Sequence, residues 1–119
     1  MKRSSRRPEQ VAEAIRQVIA EALAREVRDP RVEQATVTQV RVSSDISHAT
    51  ILVSVPGDDT QKAEALTGFA SAAGFLRTKL ARTLTRRTVP ELHFELDRGL
   101  EHAARIDALL GRLRTEDPD

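Results

Sequence analysis

The chain of 119 residues has no cysteine, no tryptophan and no tyrosine, and only three phenylalanines. The lack of cysteine excludes a disulfide framework, a Cys-ligated zinc site, an iron–sulfur cluster and a thiol nucleophile, and it fits a reducing cytoplasm. With Phe69, Phe75 and Phe94 as its only aromatics, the chain is short of the stacking platforms that single-strand readers commonly use. No apolar run approaches the ~20 residues that span a bilayer. The basic start, Met1-Lys2-Arg3-Ser4-Ser5-Arg6-Arg7, leads into a charged amphipathic pattern and not into the uninterrupted apolar stretch of a secretory signal. The expectation is a soluble cytoplasmic protein with no membrane partner.

Catalytic patterns are missing as well. His48, His93 and His102 share no close spacing, and there is no His-Glu-x-x-His cluster, no Gly-x-Ser-x-Gly elbow, no Walker-type phosphate loop and no Gly-x-Gly-x-x-Gly. Asp45, Ser47 and His48 read as turn residues between two strands, because a triad is defined by geometry that adjacency does not supply. Asp58-Asp59, after Pro56-Gly57, reads as turn and helix cap. No catalytic residue, metal ligand or cofactor is expected, and the chain is read as not an enzyme.

What is present is segregated charge. The formal net charge is only +1. Yet Lys2, Arg3, Arg6 and Arg7 gather at one end, and Glu116, Asp117 and Asp119 at the other. Between Ala65 and Pro90 there is no acidic residue, while Arg77, Lys79, Arg82, Arg86 and Arg87 all fall there. Such segregation creates a local field that the net value hides, and arginine's planar fork suits phosphate oxygens.

Patterning gives the elements. Pro8 suits a first helical turn, and Val11, Ile15, Val18, Ile19, Ala22 and Leu23 repeat at helical spacing until Asp29-Pro30 stops the helix near Arg28. Ala35 to Ser43 and Ala49 to Val55 read as strands joined in an antiparallel hairpin. Thr60 or Asp59 can cap a helix from Gln61 to Leu84. Its interior glycines, Gly68 and Gly74, each cost ~1 kcal/mol relative to alanine, so at least one should mark a bend or close packing. Leu92 to Leu96 reads as a third strand and Leu100 to Leu113 as a closing helix. Residues 1–7 form a flexible basic arm, 8–113 one domain and 114–119 a short acidic flexible tail. The order helix, strand, strand, helix, strand, helix predicts an α+β fold with helices packed on one three-stranded sheet. Lys79, Arg82 and Arg86 share a helix face by their i, i+3, i+7 spacing, with Phe75 one turn before Lys79 and with Arg77 and Arg87 to the side. That face fits the nucleic-acid backbone. The bland reading is a solvated helix with Phe75 in the core.

Four segments in order carry a family resemblance: Arg7-Pro8 with Val11-Ala12; Arg25-Glu26-Val27-Arg28-Asp29-Pro30-Arg31; Ala72-Ala73-Gly74-Phe75-Leu76-Arg77; and Val89-Pro90-Glu91-Leu92-His93-Phe94 followed by Asp97. The chain resembles the bacterial ribosome-binding factor A family. The resemblance implies a type-II KH-like domain in which Ala72 and Gly74 form an Ala-x-Gly kink between two helical halves in place of the usual Gly-x-x-G clamp. It further implies binding to the small ribosomal subunit and its 16S rRNA, a role in late rRNA maturation and in growth in the cold, and no cofactor or catalytic residue. Some members carry a longer charged C-terminal extension. Here the chain ends soon after Leu113 with Thr115-Glu116-Asp117-Pro118-Asp119, so a role resting on that extension is not carried over. The expected RNA ligands are Arg77, Lys79, Arg82, Arg86 and Arg87, with Arg3, Arg6 and Arg7 adding electrostatic capture, in a protein acting as a monomer. The competing readings are a protein-interaction adaptor and a general nucleic-acid-binding domain, the latter including a DNA regulator, for which the helix lacks adenine-reading Asn or Gln.

Overall fold

The computed structural model describes residues 7–84, 89–99 and 109–111. Helix α1 (Pro8–Arg25) opens on a proline, whose missing N–H costs nothing in the first turn. Its start is closed by half of a capping box: the Gln10 side chain accepts from the Arg7 N–H at 3.3 Å. The reciprocal half is chemically impossible, since an arginine side chain has no acceptor. The helix ends three residues earlier than Asp29-Pro30 alone suggests. Both Glu26 and Val27 donate their N–H to the Ala22 carbonyl, at 2.8 and 2.9 Å, which closes the last turn before the proline is reached.

Strands β1 (Thr36–Val42) and β2 (His48–Ser54) form the expected antiparallel hairpin. A bulge between Val37 and Gln39 explains an irregularity in the pattern. Val37 and Val40 are an odd number of residues apart, yet both pack on the core because the inserted residue resets the alternation. Thr38, at the bulge, donates its hydroxyl to Asp97 Oδ2 at 2.6 Å and lies 3.2 Å from the Leu52 carbonyl, tying the hairpin to the end of the third strand.

Helix α2 (Asp59–Leu84) then carries the chain to β3 (Glu91–Leu96). Its cap is Asp58, one residue before the expected pair. The Gln61 N–H donates to Asp58 Oδ1 at 2.9 Å and the Asp58 N–H donates to Gln61 Oε1 at 2.8 Å, a complete capping box. Because a helix returns the chain to its starting end, β3 pairs with β2 in parallel, in the order β1-β2-β3. Val37, Val40 and Val42 of β1, Ala49, Ile51 and Val53 of β2, and Leu92, Phe94 and Leu96 of β3 share one face of the sheet. Val11, Ile15, Ile19 and Ala22 of α1 and Ala65, Phe69, Leu76, Leu80 and Leu84 of α2 pack with them to form the core. Phe69 stacks on Phe94 with ring centroids 4.9 Å apart. The α+β class and the three-stranded sheet with helices on one face therefore hold.

Two expectations about α2 meet the structure differently. The helix is continuous from Asp59 to Leu84, so the Ala72-x-Gly74 segment does not break it into two separate helices. Thr67, Thr78 and Thr83 each donate a hydroxyl to the carbonyl four residues back, at 3.0–3.2 Å, which relieves side-chain polarity without interrupting the backbone ladder. The close packing asked of a glycine is found at Gly68, where an added Cβ would lie 2.8 Å from Val32 Cγ1. The closing helix expected at Leu100 to Leu113 lies mostly outside the described residues, of which 109–111 are helical. The tail, and the arm apart from Arg7, also lie outside them.

Candidate nucleic-acid interface

The site is one side of α2. Its buried seam, Ala65, Gly68, Phe69, Leu76, Leu80 and Leu84, faces the sheet and α1. The opposite side of its second half exposes Ser71, Gly74, Phe75, Thr78, Ala81 and Arg82. Phe75 is 48% exposed, so it is not a core residue, and the solvated-helix reading fails on that point. It is the aromatic available to a partner among the described residues, since Phe69 is fully buried and Phe94 is packed against it. Gly74 has open space where a Cβ would be, so backbone or phosphate can approach the helix closely at that turn.

The cations divide. Arg82 is exposed, and no carboxylate lies within ion-pair distance of it among the described residues. Arg77 is exposed on the neighbouring side and donates a long hydrogen bond, 3.4 Å, to the Val89 carbonyl just before β3. Lys79 departs from expectation. Its Nζ is 2.6 Å from Glu26 Oε1, and its side chain is only 31% exposed. A stretch without acids in sequence is not without them in space: the end of α1 brings Glu26 across to it. Lys79 is therefore a link between α1 and α2, and Arg82 is left as the exposed cation of its face among the described residues.

Arg7 caps α1 at the end remote from Glu26. Eighteen helical residues at 1.5 Å each separate the two by roughly 27 Å, so Arg7 does not join the α2 patch. Arg3, Arg6, Arg86 and Arg87 lie outside the described residues. Some other cations are matched to neighbours. Arg16 and Gln17 hydrogen-bond Glu13 and hold its carboxyl down to about 2. Arg31 chelates Asp29 and keeps that carboxyl below its ordinary range. Arg28 and Arg41, like Arg77 and Arg82, are exposed without an ion pair among the described residues, so what sets Arg77 and Arg82 apart is their place on the helix that exposes Phe75.

The turn residues behave as expected. Asp45 Oδ1 accepts from the Ser43 and Ser47 hydroxyls and from the Ser47 N–H, at 2.7–3.1 Å, and these bonds depress its carboxyl to about 2. The histidines share no close spacing in the sequence, yet two of them meet in the fold. Parallel pairing of β2 with β3 brings His48 and His93 together, with ring nitrogens 3.0 Å apart. Glu91-Leu92-His93 was the sequence signal, since alternate strand residues share a face, but only the register shows what they meet.

With this geometry in place, comparison with known proteins is decisive. The profile of the family described as ribosome-binding factor A matches residues 7–110. The chain belongs to the ribosome-binding factor A family. It is 49% identical over 113 residues to the ribosome-binding factor A of Rhodopirellula baltica, covering 95% of this chain and 82% of that protein. To the Geobacter sulfurreducens member it is 42% identical over 110 residues, covering 92% and 93%. Among solved structures, a Thermotoga maritima ribosome binding factor A matches with a TM-score of 0.70 at 31% identity, covering 83% of this chain and 93% of that one. The Thermus thermophilus crystal structure matches with a TM-score of 0.67 at 27% identity, covering 77% and 98%. Coordinates of the Thermus protein fitted into a map of its complex with the 30S subunit match with a TM-score of 0.59 at 29% identity, covering 72% and 90%. No helix among the described residues is long and apolar enough to cross a membrane.

Proposed function

We propose that this protein binds the small ribosomal subunit and docks on 16S rRNA through the exposed side of the second half of α2. Arg82 and Arg77 contact phosphate there, and Phe75 and the open surface at Gly74 complete the contact. Arg86 and Arg87, which follow on in the sequence, and Arg3, Arg6 and Arg7 add charge to the encounter. The protein works as a cytoplasmic monomer in late maturation of the subunit's RNA, most critically in the cold. It has no cofactor and performs no chemistry of its own. The observation that carries the reading is the pairing of exposed, carboxylate-free arginines with an exposed phenylalanine on one helix of a family member. Cations without partners suit phosphate because no internal ion pair must be broken first.

Co-sedimentation with purified small subunits tests the face. The double substitution Arg77→Glu with Arg82→Glu should strongly reduce the bound fraction while circular dichroism stays unchanged, and undiminished binding would contradict the assignment. Loss of the gene tests the role. Unprocessed 16S precursor and free subunits should accumulate, most at low temperature, and normal RNA and subunit ratios in the cold would contradict it.

A further inference from the structure

The side of the sheet away from the helices holds a cluster that the RNA-binding reading does not use. On this open face the register sets His48 of β2 beside Glu91 of β3, while His93 follows Glu91 by two residues on the same strand. His48 Nδ1 lies 3.0 Å from His93 Nε2 and 3.7 Å from Glu91 Oε1. The ring centroids are 5.2 Å apart with planes inclined by 34°, so the imidazoles converge at their nitrogen edges and do not stack. One ligand atom from each of the three side chains lies within 4.8 Å of the other two.

We propose that His48, Glu91 and His93 form a binding site for a first-row divalent cation, zinc being the best match. Two imidazoles and a carboxylate are a donor set that zinc takes readily. Donors 2.0–2.1 Å from a tetrahedral ion are about 3.3 Å apart. The two measured separations, 3.0 and 3.7 Å, bracket that value, so small side-chain rotations bring all three onto one ion. Facing nitrogens at 3.0 Å must share a proton, one donating and one accepting, unless both give their lone pairs to one cation beside them. The backbone supplies the preorganisation. Glu91 is anchored by its N–H to the Ser47 carbonyl at 2.9 Å, and His48 by its N–H to Ser43 Oγ at 3.0 Å. His48 and Glu91 are exposed and His93 is half-buried, so the remaining coordination position opens to solvent and takes water. On the same face Thr50 pairs with both His93 and Arg41, and Glu95 follows His93 along β3. Arg41 thus lies one strand beyond Thr50 and is not among the donors.

The test uses the full chain without an affinity tag, titrated with Zn2+ by calorimetry and with Co2+ by visible absorption. One ion should bind per chain, with Co2+ showing the intense bands of low coordination number. His48→Ala and His93→Ala should each weaken binding by more than about tenfold, since losing a ligand should cost at least as much as losing one of its outer partners. Glu91→Gln, which keeps the shape of the side chain, should weaken it in the same direction. His102→Ala should leave it unchanged. No binding by the native chain would overturn the proposal. So would undiminished binding in the His48→Ala, His93→Ala double variant, or a site that follows His102. The three side chains lie on the open face of the sheet and outside the core, so unchanged circular dichroism in each variant separates loss of the site from loss of the fold.

Discussion

Gly68-Phe69 and Gly74-Phe75 are the same dipeptide on the same helix, six residues apart. Six residues at 3.6 per turn rotate the second pair by roughly 240° relative to the first, and their surroundings are opposite. Phe69 is fully buried and stacked on Phe94, while Phe75 is 48% exposed. Gly68 is pressed against Val32, whereas a Cβ at Gly74 would meet nothing within 4 Å. Both halves of α2 bury core residues, Ala65 and Phe69 in the first and Leu76, Leu80 and Leu84 in the second. The second half also offers an aromatic edge, a bare turn of backbone and two arginines to something outside the domain. Residue type does not separate the two roles. The phase of each residue on the helix does.

Substitutions along α2 sharpen the contrast. Phe69→Ala should cost the most, about 3–5 kcal/mol, by removing a core ring and leaving a cavity. Denaturant midpoints would show it, and a loss under about 1 kcal/mol would mean the core is assigned wrongly. Gly68→Ala and Gly74→Ala should differ in sign. At position 68 the new methyl meets Val32 Cγ1 at 2.8 Å and Arg31 Cβ at 3.2 Å. Overpacking of about 1–3 kcal/mol there outweighs the ~1 kcal/mol helix gain. At position 74 the space is open, so the gain stands and the melting temperature should rise. Equal shifts from the two alanines would remove the distinction between the halves. Phe75→Ala should change stability by less than about 0.5 kcal/mol, as exposed substitutions do, yet lower affinity for small subunits. A large loss of stability with unchanged affinity would reverse the assignment.

The smallest expected effect lies outside α2, in the turn before β2. The carboxyl of Asp45 is depressed to about 2 by the hydroxyls of Ser47 and Ser43 and the Ser47 N–H. A depressed carboxyl stabilises the fold above its ordinary value near 4, and the contribution is lost as the pH falls from there through 2. Carbonyl-carbon NMR should place its titration near 2. Asp45→Asn should flatten the acid limb of stability in that window, and a midpoint near 4 would show the turn to be loosely held.

Much of this molecule was legible in the sequence because it rests on local rules. Pro8, the valines of β1, Pro56-Gly57 and the apolar repeat of α2 set four elements to within about three residues. Helix α1 overran because the Ala22 carbonyl, not Asp29-Pro30, closes it. The rest depended on contacts distant in sequence. The acid-free run suggested a face of Lys79, Arg82 and Arg86 with Arg77 and Arg87 to the side, but Lys79 meets Glu26 from the end of α1. Spacing puts Phe75 beside Lys79, and only packing shows that it is exposed. The parallel direction of β3 follows from a strand, helix, strand unit, but the meeting of His48 and His93 needs the register as well. The family resemblance rested on four short segments, and the profile match over residues 7–110 carries it across the domain.

The central claim is that α2 binds RNA phosphate through arginines with no carboxylate partner, and the salt dependence of binding to purified small subunits tests it most directly. A face that neutralises phosphates releases counterions, so log K should fall steeply and linearly with log salt. Arg77→Glu with Arg82→Glu should make that slope shallower by about two, roughly one for each phosphate that is no longer neutralised. An affinity that barely responds to salt, or a slope the double substitution leaves unchanged, would contradict the account and favour an apolar interface between proteins.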